Sequence, residues 1–269
     1  MDSGLDFHDL RALLEWQVEL GVTEAIGDVA LNRYQAVGAA PVADAGVALP
    51  APGVALVSLV QAPGGADRVA LARELAAGAG DLAGLRAAMA RFDGCDLKNG
   101  ARSLVFGGGN PLARVMVIGE APGRDEDQAG LPFVGPAGVL LDRMFAAIGL
   151  ARGAPDRDTA LYLTTVLPWR PPQDRDPSPD EIALLMPFVA RHVALVDPKV
   201  IVVLGNTACA GVLGQKGIAR LRGQWAHALG KPVLPMLAPA YLLRNPAAKR
   251  AAWADLLALQ ARLRGAHDR

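Results

Sequence analysis

Two glutamates and an aromatic stand close together in one stretch: Glu120 and Glu126 in Gly119-Glu120-Ala121-Pro122-Gly123-Arg124-Asp125-Glu126, then Phe133 in Gly130-Leu131-Pro132-Phe133-Val134-Gly135. Carboxylates can move protons or face a developing positive charge, and an aromatic ring offers a flat surface to a flat ligand. Glycine opens backbone angles that other residues resist, and proline fixes its own φ, so this loop has a set shape. It is not a phosphate-binding Walker loop, because no Gly-Lys-Ser/Thr follows. Its glycine spacing also differs from a dinucleotide fingerprint. The plain alternative is an ordinary connection between a strand and a helix.

The elements that would position these residues can be read on either side. Val115 to Ile118 is a short apolar run of the buried-strand kind, and Leu140, Leu141, Met144, Phe145 and Ile148 make a helix face after the loop. Tyr162 to Leu167, Val200 to Leu204 and Val233 to Leu237 read as further strands. Between them, Ser178 caps a helix running to about Val196, with Pro179 in its first turn. Another helix covers about 207–213, and an amphipathic one covers 247–264. Strands alternating with helices predict an α/β fold, a central parallel sheet of about four strands flanked by helices on both faces. The strand ends at 119, 165 and 238 would then share one edge and form one crevice.

Upstream, residues 1–35 read as a helical segment, with Leu10, Leu13, Leu14 and Val18 at helical spacing. Residues 36–66 read as a flexible Ala/Pro/Gly linker, and 67–91 as a helical lead-in weakened by Gly78, Gly80 and Gly84. Residues 92–265 form the α/β domain. No apolar run approaches the eighteen residues of a membrane span, and the acidic N-terminus lacks a signal peptide's basic start; a cytoplasmic protein is expected. The net charge is zero, yet residues 1–60 hold eight Asp/Glu and two Lys/Arg, whereas residues 198–254 hold eight Lys/Arg and no Asp/Glu. A basic C-terminal region suits a polyanion such as nucleic acid, or is simply a solvated face. Cys95 and Cys209 are the only cysteines of the 269-residue chain, too few for a four-cysteine metal site.

Gly119-Glu120-Ala121-Pro122-Gly123, the 130–135 run and Arg170-Pro171-Pro172, in that order, resemble the uracil-DNA glycosylase superfamily, and most closely its family 4, over about residues 92–262. The resemblance implies a monofunctional base-excision repair enzyme. It would flip uracil, or a related deaminated base, out of DNA and hydrolyse its bond to deoxyribose. It implies Glu120 and Glu126 as catalytic acids and Phe133 as the stacking ring. Gly119, Ala121, Pro122, Gly123, Thr165 and Ala238 would line the base pocket. Arg170, Leu243 and Arg244 would meet DNA, Leu243 as a wedge in the duplex or alternatively as a core residue. Ala121 stands where other branches place a water-activating Asp, and family 4 commonly has a small residue there, so Glu120 is the candidate base.

The chain departs from the family in three places. Thr165 replaces an Asn that reads uracil's edge. Ala238 replaces a His that stabilises negative charge on the leaving base, and His227 is the only nearby histidine in sequence. Family 4 also carries an iron–sulfur cluster on four Cys; Cys95 matches one ligand, but Phe92, Trp169 and Met186 stand at the others, so no cluster or other cofactor is expected. The expected partner is DNA containing uracil or an abasic site, bound by a monomer with no membrane. The alternative is a catalytically weak or inactive damaged- or abasic-DNA-binding protein of the same fold.

Overall fold

The computed structural model describes residues 65–265. The helical segment expected over 1–35, and nearly all of the linker over 36–66, lie outside the described residues. The chain runs α1 (Gly65–Ala77), α2 (Leu82–Arg91), α3 (Leu97–Gly100), β1 (Gly108–Gly109), β2 (Val115–Gly119), α4 (Arg124–Ala129), α5 (Gly135–Ala146) and β3 (Leu161–Thr165). It continues through α6 (Pro179–Val196), β4 (Val200–Leu204), α7 (Asn206–Leu213), α8 (Ile218–Leu221), β5 (Ala226–Ala228), β6 (Lys231–Met236), α9 (Pro239–Arg244) and α10 (Lys249–Gly265).

The sheet order is β1-β3-β2-β4-β6-β5. The four inner strands are parallel, as the apolar runs predict, and every residue of β2, β3 and β4 is buried. The two short edge strands are antiparallel. Alternate residues feed opposite faces. Met116, Ile118, Tyr162, Ile201 and Val203 pack with α1, α2, α6 and α7. Val117, Leu161, Leu163, Val202 and Leu234 pack with Leu141 and Phe145 of α5 and Leu256 and Leu259 of α10.

Several details differ from the sequence reading. The lead-in is two helices, broken at residues 78–81, where Asp81 caps α2 by accepting from the Gly84 N–H at 2.7 Å. Its Ala72, Ala76, Leu85 and Met89 belong to the same core as the sheet, so no packing boundary falls at residue 92. Residues 108–109 form β1, and a two-residue strand is too short to show a period. The acidic loop after β2 contains α4, and residues 239–244 form α9. Among the described residues no helix is long and apolar enough to cross a membrane.

Two buried polar pairs brace this core. Asp255 of α10, 2% exposed, pairs through both oxygens with Arg222, which also donates to the Ala251 carbonyl at 2.7 Å. On the other face, the Tyr162 hydroxyl meets Nε2 of His192 at 2.8 Å, and the imidazole stacks on Phe106 at 4.4 Å between centroids. Burial pushes His192 down to about 4 from its ordinary 6.5. Between those pH values the unfolded chain takes a proton that the folded chain refuses. Stability therefore falls as pH drops through this window, by about 3 kcal/mol from this residue. His192→Gln keeps a hydrogen-bonding group beside Tyr162 without that proton. Urea unfolding at pH 6.5 and pH 4 is expected to show a smaller acid loss in the variant than in the parent, by about that amount.

Candidate active site

The strand order creates the crevice. From β2 the chain moves to one neighbour, β3, and then crosses back to the other, β4, so direction reverses at the carboxyl end of β2. Open α/β sheets bind ligands at such a switch point. The loop leaving β2 is fastened to the segment leaving β3: Val166 N–H donates to Gly119 O at 2.9 Å and Leu167 N–H to Glu120 O at 3.1 Å.

The Glu120 side chain crosses to the end of β4. Its Oε1 accepts from the Thr207 N–H at 2.8 Å, in the first turn of α7, where the helix dipole favours negative charge. Gly205 makes this approach possible. Its φ is +91°, and a Cβ there would lie 2.5 Å from Glu120 Cδ. Oε2 makes no hydrogen bond within the described residues.

Glu126 serves the loop's own shape. As the third residue of α4 it reaches back, and its Oε2 accepts from the Gly123 N–H at 2.5 Å. Burial pushes its carboxyl above the ordinary range, while the Gly123 and Phe133 backbone N–H groups pull it back down. Between these two acids Ala121 and Gly123 are half-buried and Pro122 is buried.

Phe133 has φ +53°, uncommon for a bulky residue and held against a cost of about 1–3 kcal/mol. Arg152 holds it there, donating to Phe133 O at 2.8 Å and Pro132 O at 3.2 Å while pairing with Asp142 at 2.7 Å. Gly138 lies so close beneath that a Cβ would fall 1.9 Å from Phe133 O. The ring tip rests on the Gly119 backbone, where a Cβ would be 2.6 Å from Cζ.

Thr165 is the register partner of Gly119 and shares the face of Leu161 and Leu163, the side on which Phe133 packs. Its hydroxyl donates to Leu167 O at 2.6 Å, which leaves only lone pairs for a ligand. Ala238 caps α9 without a side-chain donor, beside a crevice of about 410 Å3 that Glu120, Asn206, Lys216, Tyr241 and Arg244 also line. His227 is exposed on edge strand β5 and does not line it. Leu243 is 43% exposed, whereas its neighbour Leu242 is the core residue. Arg170 forms a two-bond pair with Asp174, at 2.7 and 2.9 Å, and that pairing holds the Asp174 carboxyl below its ordinary range.

The structure thus gathers Gly119, Glu120, Phe133, Thr165 and Ala238 at the carboxyl edge of neighbouring strands. It leaves Arg170 engaged with its own chain. Gly205, Asn206, Thr207, Gly138 and Arg152 were missed from sequence. Gly205 at a strand end carried a usable signal; Arg152 carried none.

A family profile described as Uracil DNA glycosylase superfamily matches residues 106–257, the span that builds this crevice. The chain belongs to that superfamily. Its similarity is to the type-4 branch. The Type-4 uracil-DNA glycosylase of Thermotoga maritima is 38% identical over 154 residues, 56% of this chain and 77% of the relative. The Type-4 enzyme of Sulfurisphaera tokodaii is 36% identical over 162 residues, 56% of this chain and 71% of the relative. That of Archaeoglobus fulgidus is 46% identical over 114 residues, 42% of this chain and 54% of the relative.

Family 4 implies an iron–sulfur cluster, and the residues here do not fit one. Cluster iron is held by thiolates. Phe92 is buried against Phe188, 5.4 Å between centroids, and Trp169 and Met186 pack into the same core. Burial raises the Cys95 thiol and pushes Cys209 up to about 12, both against thiolate formation. Protein purified aerobically and assayed for iron is expected to hold far less than one iron per chain. Its two thiols should react with Ellman's reagent only after unfolding.

Proposed function

We propose that the protein is a monofunctional glycosylase of cytoplasmic base-excision repair, acting as a monomer on uracil, or a related deaminated base, in DNA. The meeting of Glu120 and Phe133 at the switch point carries this reading. A base inside the duplex stack cannot be reached, so it is flipped out, and Phe133 offers it a stacking surface. Thr165 accepts from the ring N–H that uracil carries and cytosine lacks at that position. Glu120, oriented through Oε1, keeps Oε2 free to take a proton from the attacking water. Its charge also faces the positive charge growing on the sugar as the base departs.

Glu126 acts as a positioning residue in this scheme, setting the loop that carries Glu120. On α9, exposed Leu243 fills the gap left by the flipped base and Arg244 meets phosphate. Arg170 contacts DNA once a phosphate competes with Asp174.

A second reading, a damaged- or abasic-DNA-binding protein of weak or absent turnover, draws on Ala238 and on the committed proton of Thr165. Cleavage of a single-uracil oligonucleotide, followed by alkali, separates the two. The glycosylase reading expects strand breakage that depends on alkali. It also expects Glu120→Gln to lose about 100-fold or more, and Glu126→Gln, which retains an acceptor for Gly123, to stay within a few-fold of the parent. Binding to an abasic duplex without any breakage would favour the second reading.

A further inference from the structure

A base leaving with negative charge needs a hydrogen-bond donor, and the two expected positions supply none. Ala238 has no polar side-chain atom, and the Thr165 hydroxyl proton is given to Leu167 O. Asn206, the first residue of α7, lines the same crevice as Glu120 and Ala238. Its Oδ1 accepts from Gly217 N–H at 3.1 Å and Ile218 N–H at 2.9 Å. Both partners are donors, so only the amide oxygen can face them, and the NH2 group is turned away from that loop. The NH2 makes no hydrogen bond within the described residues. Of the chain neighbours of Asn206, Thr207 donates its N–H to the Glu120 carboxylate, and Gly205 leaves the space that a side chain would take from that carboxylate.

We propose that Asn206 is a catalytic residue whose NH2 donates to a carbonyl oxygen of the departing base. This assignment rests on the glycosylase reading above. In the step, the bond between sugar C1′ and the base nitrogen breaks and both electrons leave with the base, spreading onto its carbonyl oxygens. Water oxygen bonds to C1′ and gives one proton to Glu120, and solvent returns a proton to the base nitrogen. A donor whose bond strengthens as that charge grows stabilises the transition state more than the bound substrate. The amide is held in place before the reaction by two backbone N–H groups, so it needs no reorganisation as the charge appears.

Asn206→Asp tests this with nearly the same shape. One carboxylate oxygen still accepts from Gly217 and Ile218, while the other puts an anion where the donor was. Single-turnover cleavage of a uracil oligonucleotide is expected to fall about 100-fold or more, with duplex binding unchanged. The loss should be several-fold smaller on 5-fluorouracil, whose fluorine stabilises the departing anion and lessens the need for a donor. Adding Ala238→His to the variant should recover part of the uracil rate. The ratio of the two bases is read within one preparation, so a partly unfolded variant does not blur it. Parent-like cleavage by Asn206→Asp, or an equal loss on both bases, would overturn the assignment. A parent that cleaves neither base would remove the glycosylase reading and this assignment with it.

Discussion

The contact from Glu120 to the start of α7 is the constraint on which the rest of the site depends. It joins the ends of β2 and β4 across the sheet edge, and it is what makes two adjacent strands into one walled crevice. The contact exists because Gly205 has no side chain and adopts a left-handed φ. Any other residue there would meet the carboxylate and be strained besides. The helix that receives Glu120 is the one that carries Asn206, so the acid and the amide donor are set by the same few backbone atoms.

The aromatic ring resting on the Gly119 backbone is governed by a different constraint. Phe133 is held in an unfavourable conformation by an arginine, a close-packed glycine and the backbone of β2. Its position is therefore decided before any ligand arrives, and little is left to adjust on binding. Glu126 performs a related service for the neighbouring turn. Its burial and its bond to Gly123 separate Glu126 from Glu120 more clearly than its spacing does.

Much of the fold was legible because burial on both faces of a parallel sheet forces uninterrupted apolar runs. Val115–Ile118 and Val200–Leu204 stand out for that reason, and the Ser178–Pro179 helix start stands out through local cap chemistry. The short edge strands were not legible, since two or three residues show no alternation. The placing of Glu120 and Phe133 about one strand end was legible from residue type and spacing. The site was opaque where chemistry depends on which atom is already engaged. Nothing in the chain order announces that the Thr165 proton belongs to Leu167. Nor does it show that Asn206 is turned by backbone groups eleven and twelve residues further on.

The packing of Phe92, Trp169 and Met186 has a consequence for the life of the protein before it meets DNA. A region closed by a metal cluster is finished only when assembly machinery delivers iron and sulfide, and it comes apart when oxidants attack them. A region closed by hydrocarbon contacts is finished by the chain itself. The contacts of these three side chains ask for no iron and offer an oxidant no inorganic sulfide to attack.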